Sequence, residues 1–288
     1  MSKAILSAVL IGLMAGGAFA EDSKPLEGWA KTADLGLIIN QAGYSSSWDG
    51  DELGTFNWTF NANGTADRHL SASTLWTNQL KITYGKTRNE ERNEDTGGKS
   101  WSDSEKSTDR IFLESLLKFQ EGNYINPFFA VTYETQFQDD ADNMFNPGRL
   151  TESAGVGRDL IKNDATHVFT RVGLAYRQYM VKDADTVTDG GLEWVTDATH
   201  TFNEQLKGVS KLRVFKAFTS SADDDMLDSD PRIDDWKSVD VAWEVNLSAS
   251  VTKYLQTTVF FEVLYDKEIA DDARWRDILG IGVTYKLF

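Results

Sequence analysis

Eleven charged residues fall at alternate positions within stretches that otherwise trade apolar for polar residues one by one: Lys81, Arg110, Glu114, Lys118, Glu134, Arg171, Arg177, Lys211, Arg213, Glu244 and Glu262. In an extended chain, alternate residues project from one face, so each charge would share a face with its strand's polar residues. Enclosed together, cations and carboxylates can do two things. Lining an open bore, they set ion preference and effective width. Paired with one another, they fill the space as a salt-bridge network. The sequence leaves both readings open.

A second acidic group lies between the alternating stretches. SSADDDMLDSDPRIDD (220–235) contains Asp223, Asp224 and Asp225, and KDADTVTDGG (182–191) contains Asp183, Asp185 and Asp189. Hard oxygen ligands suit loosely held Ca2+ or Mg2+, but neither stretch has the spacing of an EF-hand loop. The plainer reading is solvated loops, and no tightly held cofactor is expected. Catalysis has little to draw on. There is no cysteine, and the three histidines are His69, His167 and His200. His69-Leu70-Ser71 has the His-x-Ser spacing of outer-membrane phospholipase, but no oriented base or oxyanion donor is marked nearby. The tripeptide is expected in a short connection on the periplasmic side, and the chain is expected not to be an enzyme.

The elements that must position these charges are strands. FNWTFNANG (56–64) shows the period, with Phe56, Trp58, Phe60 and Ala62 on one face and asparagines and Thr59 on the other. Similar segments are predicted at 33–42, 54–65, 74–85, 108–119, 126–138, 149–160, 167–180, 190–203, 207–219, 236–250, 254–266 and 276–288. Each is long enough to cross a bilayer at a tilt. The connections alternate long and short, with acidic residues concentrated in the long ones, as in a barrel whose turns emerge on opposite sides of a membrane. The fold expected is all-β: a closed transmembrane antiparallel barrel of about twelve strands with periplasmic termini. Aromatic and aliphatic residues should then face lipid, and the charged and polar ones the interior.

Residues 1–20 read as a secretory signal peptide: Lys3, an apolar run from Ala4 to Met14, and Ala18-Phe19-Ala20 before Glu21. Residues 21–32 would be a periplasmic segment and 33–288 the barrel, in the outer membrane of a Gram-negative-type bacterium. The net charge of −16 disfavours nucleic acid as a partner. Tyr285 and Phe288 close the chain in the manner of a signal read by the outer-membrane assembly machinery. Phe288 stands on the opposite parity from Leu279, Ile281, Val283, Tyr285 and Leu287, however. The partners expected are outer-membrane lipid, that machinery and small polar solutes.

Several segments resemble the Domain of Unknown Function 3078 family of outer-membrane barrels. They are GLIINQAGYSSSW (36–48), LKITYGKTRN (80–89), TDRIFLESLLKF (108–119), YETQF (133–137), SKLRVFKAF (210–218), VDVAWEVNLSASVTKYLQTTVFFEVLYD (239–266) and LGIGVTYKLF (279–288). The resemblance implies fold and place and carries no chemistry; the middle of the chain, 150–205, departs from it. Two functions remain. One is a narrow porin-like diffusion channel for small polar solutes. The other is a non-conducting surface barrel whose acidic loops bind cations or cell-surface glycans.

Overall fold

A computed structural model describes residues 28–44, 53–92, 98–119, 124–222, 232 and 234–286. Thirteen strands follow one another: β1 (Ala30–Ala42), β2 (Thr55–Ser71), β3 (Thr74–Arg92), β4 (Lys99–Trp101), β5 (Glu105–Phe119), β6 (Asn126–Thr135) and β7 (Gly148–Lys162). Then come β8 (Thr166–Met180), β9 (Val187–Thr201), β10 (Leu206–Ser220), β11 (Val239–Ser250), β12 (Leu255–Tyr265) and β13 (Arg274–Lys286). Among the described residues β4 pairs with the tip of β3 alone, through Glu90↔Trp101. The other twelve form one antiparallel sheet in which each strand pairs with its chain neighbours. The sheet closes where β1 meets β13, with Asp34 opposite Lys286 and Ile39 opposite Ile281. Closure removes both edges, so the wall leaves no unpaired row of backbone groups for a bilayer to accommodate.

The two faces are sorted oppositely to those of a soluble sandwich. Leu174 is 67% exposed and Leu279 65%, whereas Arg171 is 2% exposed, Glu262 3% and Glu193 4%. Along β11 the outward Val239, Trp243 and Leu247 are exposed, while Asp240 and Glu244 reach partners inside. Apolar outside and charged inside is the arrangement of a transmembrane barrel. The interior of β5–β10 holds what core there is: Leu116, Phe128, Ala130 and Phe169 cluster together, as do Ala175, Phe215 and Ala217, with Trp236 packed on the latter.

The strand boundaries differ from the sequence reading in instructive places. β2 and β3 run on until only Ala72 and Ser73 separate them, so His69 stands within a strand rather than in a connection. β6 stops at Thr135 instead of 138. The following segment curls around Asp139, whose carboxylate accepts hydrogen bonds from the N–H groups of Ala141 and Asn143 and from the side chains of Asn143 and Asn146. That local bonding competes with strand pairing, and it holds the Asp139 carboxyl down to about 2. β9 begins at Val187, three residues earlier than predicted, so Asp189 belongs to the wall and not to a loop. The short turns, β1's start and β13's end share one end of the barrel; the long connections share the other. The signal-peptide residues lie outside the described residues.

Candidate functional site

The interior is organised around one ring. Phe112, carried inward by β5, is 2% exposed. Four cations surround it: Lys211 Nζ lies 5.0 Å from the ring centroid, Arg213 Cζ 5.4 Å, Lys81 Nζ 5.5 Å and Arg110 Cζ 5.7 Å. A cation over an aromatic face gains from the ring quadrupole, more so when water is excluded. Four positive groups in one place nevertheless need counter-charges, and the opposite walls supply them.

Glu134 on β6 accepts from Arg110 at 3.0 Å and also from Arg213, with Arg149 at 3.2 Å. Glu244 on β11 accepts from Lys81 at 3.2 Å and from Arg110. Glu262 on β12 accepts from Arg110 at 3.2 Å and from Arg276 at 2.7 Å. Nearer the short-turn end, Glu114 accepts from Lys211 at 2.8 Å and from Arg171, and Asp197 stands 3.3 Å from Lys211. Glu193 lies 3.6 Å from Arg213. Cations and carboxylates nearly cancel in this layer.

The bonds run across the lumen, from β3, β5 and β6 to β8, β10, β11 and β12. They form a partition that divides the interior lengthwise. On the β5–β10 side the space is filled. Phe128, Phe169 and Phe215 lie over the inner faces of neighbouring strands where glycines leave room, as at Gly191, whose added Cβ would fall 2.8 Å from Phe215 Cζ. On the other side, β10–β13 and β1–β3, with Thr108, Arg110 and Phe112 of β5, enclose a cavity of about 530 Å³. Uncharged polar residues are the largest group in its walls, with Asn61, Asn63, Gln79, Asn246, Gln256 and Thr258 among them, beside charged residues and apolar ones such as Phe260 and Ile278. It extends from the short-turn end, beside Asn203 and Gln205, to a point where Arg276 Nη1 donates to Thr108 Oγ1 at 3.2 Å across the barrel.

The eleven charges picked from the sequence all face this interior. Nine join the central layer and its immediate neighbours. Lys118 stands apart toward the short turns, 3.6 Å from Asp159, which His167 contacts at 2.8 Å. Arg177 stands apart toward the long connections, 2.5 Å from Asp240 and over Phe215 at 3.7 Å. The acidic candidates scatter. Asp183 and Asp185 are exposed in 181–186, Asp189 is buried opposite Arg177, and Asp223, Asp224 and Asp225 lie outside the described residues. No three carboxylate or histidine side chains are gathered for a metal among the described residues. Tyr285 faces outward and is exposed; Phe288 lies outside the described residues.

Sequence reasoning passed over Asp159, Glu193, Asp197, Arg149, Arg276, Phe169 and Phe215. The signal for the β9 pair was present, since Glu193 and Asp197 alternate with Leu192, Trp194 and Thr196. Arg276 likewise shares the inward parity opposite Leu279 and Ile281.

Residues 39–140 match the family model described as "Protein of unknown function (DUF3078)". This is the family resembled by the quoted segments, here over β1 to the connection after β6. No curated protein matches the chain. Among solved structures, an outer membrane channel from Pseudomonas putida is similar at 9% identity and a TM-score of 0.46, covering 94% of this chain and 99% of that one. The NanC porin is similar at 11% identity and 0.42, covering 89% and 100%. The outer membrane channel DcaP of Acinetobacter baumannii is similar at 10% identity and 0.32, covering 91% and 96%. These likenesses do not bear on what this barrel carries.

Proposed function

We propose that the protein is an outer-membrane barrel that passes small polar solutes along one side of its lumen. The observation carrying this reading is the cavity of about 530 Å³ beside the partition, lined in part by amides and hydroxyls and entered from the short-turn end. Side chains that merely filled the barrel would leave no such space; small barrels have packed interiors. What bounds the cavity toward the long connections includes the Arg276–Thr108 contact, made by a long side chain with several rotatable bonds. Displacement of that one arm would lengthen the passage without disturbing the wall. The acidic long connections would then face the cell exterior, and the short turns the periplasm.

A second reading has its own support. The ion-paired partition and the phenylalanines behind it occupy much of the bore, as in a non-conducting barrel that displays its long acidic connections. Purified protein separates the two. Gel mobility with and without boiling first establishes a folded barrel, and the same sample is then added to a planar bilayer. Reproducible conductance steps support the channel; silence from folded protein that also admits no solute into liposomes removes it.

A further inference from the structure

Around the middle of the cavity the lining charges are paired with other charges. Lys81 and Arg110 are bound to Glu244, Arg276 to Glu262, and Lys211 to Glu114. Toward the short-turn end Asp34 accepts from the neutral Asn63 at 3.0 Å, and Glu204 and Lys207 line the cavity with no ion pair among the described residues. The amides differ. Asn61, Gln79 and Asn246 project into the same cavity from β2, β3 and β11, and their side chains make no hydrogen bond among the described residues. Asn246 is solvent-exposed although it faces the inside of the barrel. Each of these carboxamides offers two donors and an acceptor to whatever enters.

We infer that the cavity selects small, uncharged, hydroxyl- or amide-bearing solutes over ions, with Asn61, Gln79 and Asn246 as the specificity-determining side chains. This rests on the channel reading and names its substrate class. An ion moving past Asp34, Glu204 and Lys207 to the amides would shed hydration where Lys81, Arg110, Lys211, Arg276 and Glu244 already have partners, and unpaired charge away from water is costly. Beside the amides it could bind only by competing for a member of an internal pair. A neutral polyol or sugar would exchange water hydrogen bonds for amide ones at little net loss. The cavity volume lies within the roughly 300–1,000 Å³ usual for small-ligand sites.

The test uses liposomes containing the purified full chain and follows swelling in isosmotic glucose, in glucosamine and in glucuronate. These are neutral, cationic and anionic solutes of nearly one size. Glucose is expected to enter about tenfold faster than either ion, the equivalent of one hydrogen bond's net contribution. Asn61→Leu with Asn246→Leu should remove that advantage while the boiling-dependent gel shift persists. Asn61→Asp, which adds an unpaired carboxylate, should raise glucosamine entry relative to glucose. Equal or faster entry of a charged solute through the wild-type barrel overturns the inference and leaves the channel standing. So does an Asn61→Leu/Asn246→Leu barrel with unaltered selectivity. Entry of none of the three from folded protein overturns the channel reading itself, and the inference falls with it.

Discussion

Arg110 and Glu262 are separated by 152 residues in the chain and by 3.2 Å in the barrel. The same guanidinium also reaches Glu134 and Glu244, so one side chain from β5 ties three strands together across the lumen. Arginine suits the position because its fork of donors can serve several carboxylates at once, which a lysine ammonium does less rigidly. Removing it leaves Glu134 to Arg213 and Arg149, Glu244 to Lys81 and Glu262 to Arg276, with nothing among the described residues joining the three. Arg110→Ala should destabilise the barrel by about 3 kcal/mol, as expected when one partner of a buried network is lost. It should also change conductance or ion preference. Urea-gradient gel mobility and single-channel recording check the two effects. Unaltered conductance and selectivity would mean that Arg110 does not border the conducting path.

Phe112 gives the partition its centre, and four cations rest around it. Phe112→Leu should preserve much of the packing but lose the cation–aromatic attraction. Phe112→Ala should open a space joining the filled half to the cavity, at a cost of about 3 kcal/mol or more. The alanine barrel, if it still shows the boiling-dependent shift, should conduct more than wild type. Equal conductance in both would locate the limiting constriction elsewhere, with the Arg276–Thr108 contact as the next place to look.

The fold was open to sequence reading because a barrel wall is written in a period of two, and every strand repeats it. The sorting of Trp243 outward and Glu244 inward needs no knowledge of the neighbours. Partnership is different. Nothing in the alternation says that Lys81 will meet Glu244 and not Glu134, since that depends on the stagger of strands far apart in the chain. Arg276 and Glu193 had the correct parity but sat where boundaries were uncertain. Asp189 was misplaced for a related reason: Asp and Gly, which favour turns, open β9 and disguise its first residues as loop.

Gly191 shows how the filled half depends on a missing side chain. An alanine Cβ there would stand 2.3 Å from the Lys216 carbonyl oxygen and 2.8 Å from Phe215 Cζ. The first contact is with backbone and cannot be relieved by a rotamer. Gly191→Ala should destabilise the barrel by about 1–3 kcal/mol, typical of overpacking. Phe215→Leu in the same chain should not rescue it, because the backbone contact remains. Rescue would show that the ring, not the carbonyl, is the obstacle.

Glu268, in the connection between β12 and β13, makes stability depend on pH. Partial burial of its carboxyl, together with Asp189, Asp266 and Asp240, pushes its pKa up to about 7, against an ordinary 4.5; Arg177 offsets this in part. An acid with a raised pKa binds its proton more tightly folded than unfolded, so stability rises where only the folded form is protonated. The barrel should therefore gain stability as pH falls from above about 7 toward 4.5, and the gain should be complete below that. Glu268→Gln should be more stable than wild type at pH 8 and should flatten the profile between these limits. The unfolding midpoint in detergent, followed by tryptophan fluorescence at stepped pH, measures both. A wild-type midpoint that falls on acidification through this window, or a glutamine variant with the same slope, would show that the carboxyl is not held among those aspartates.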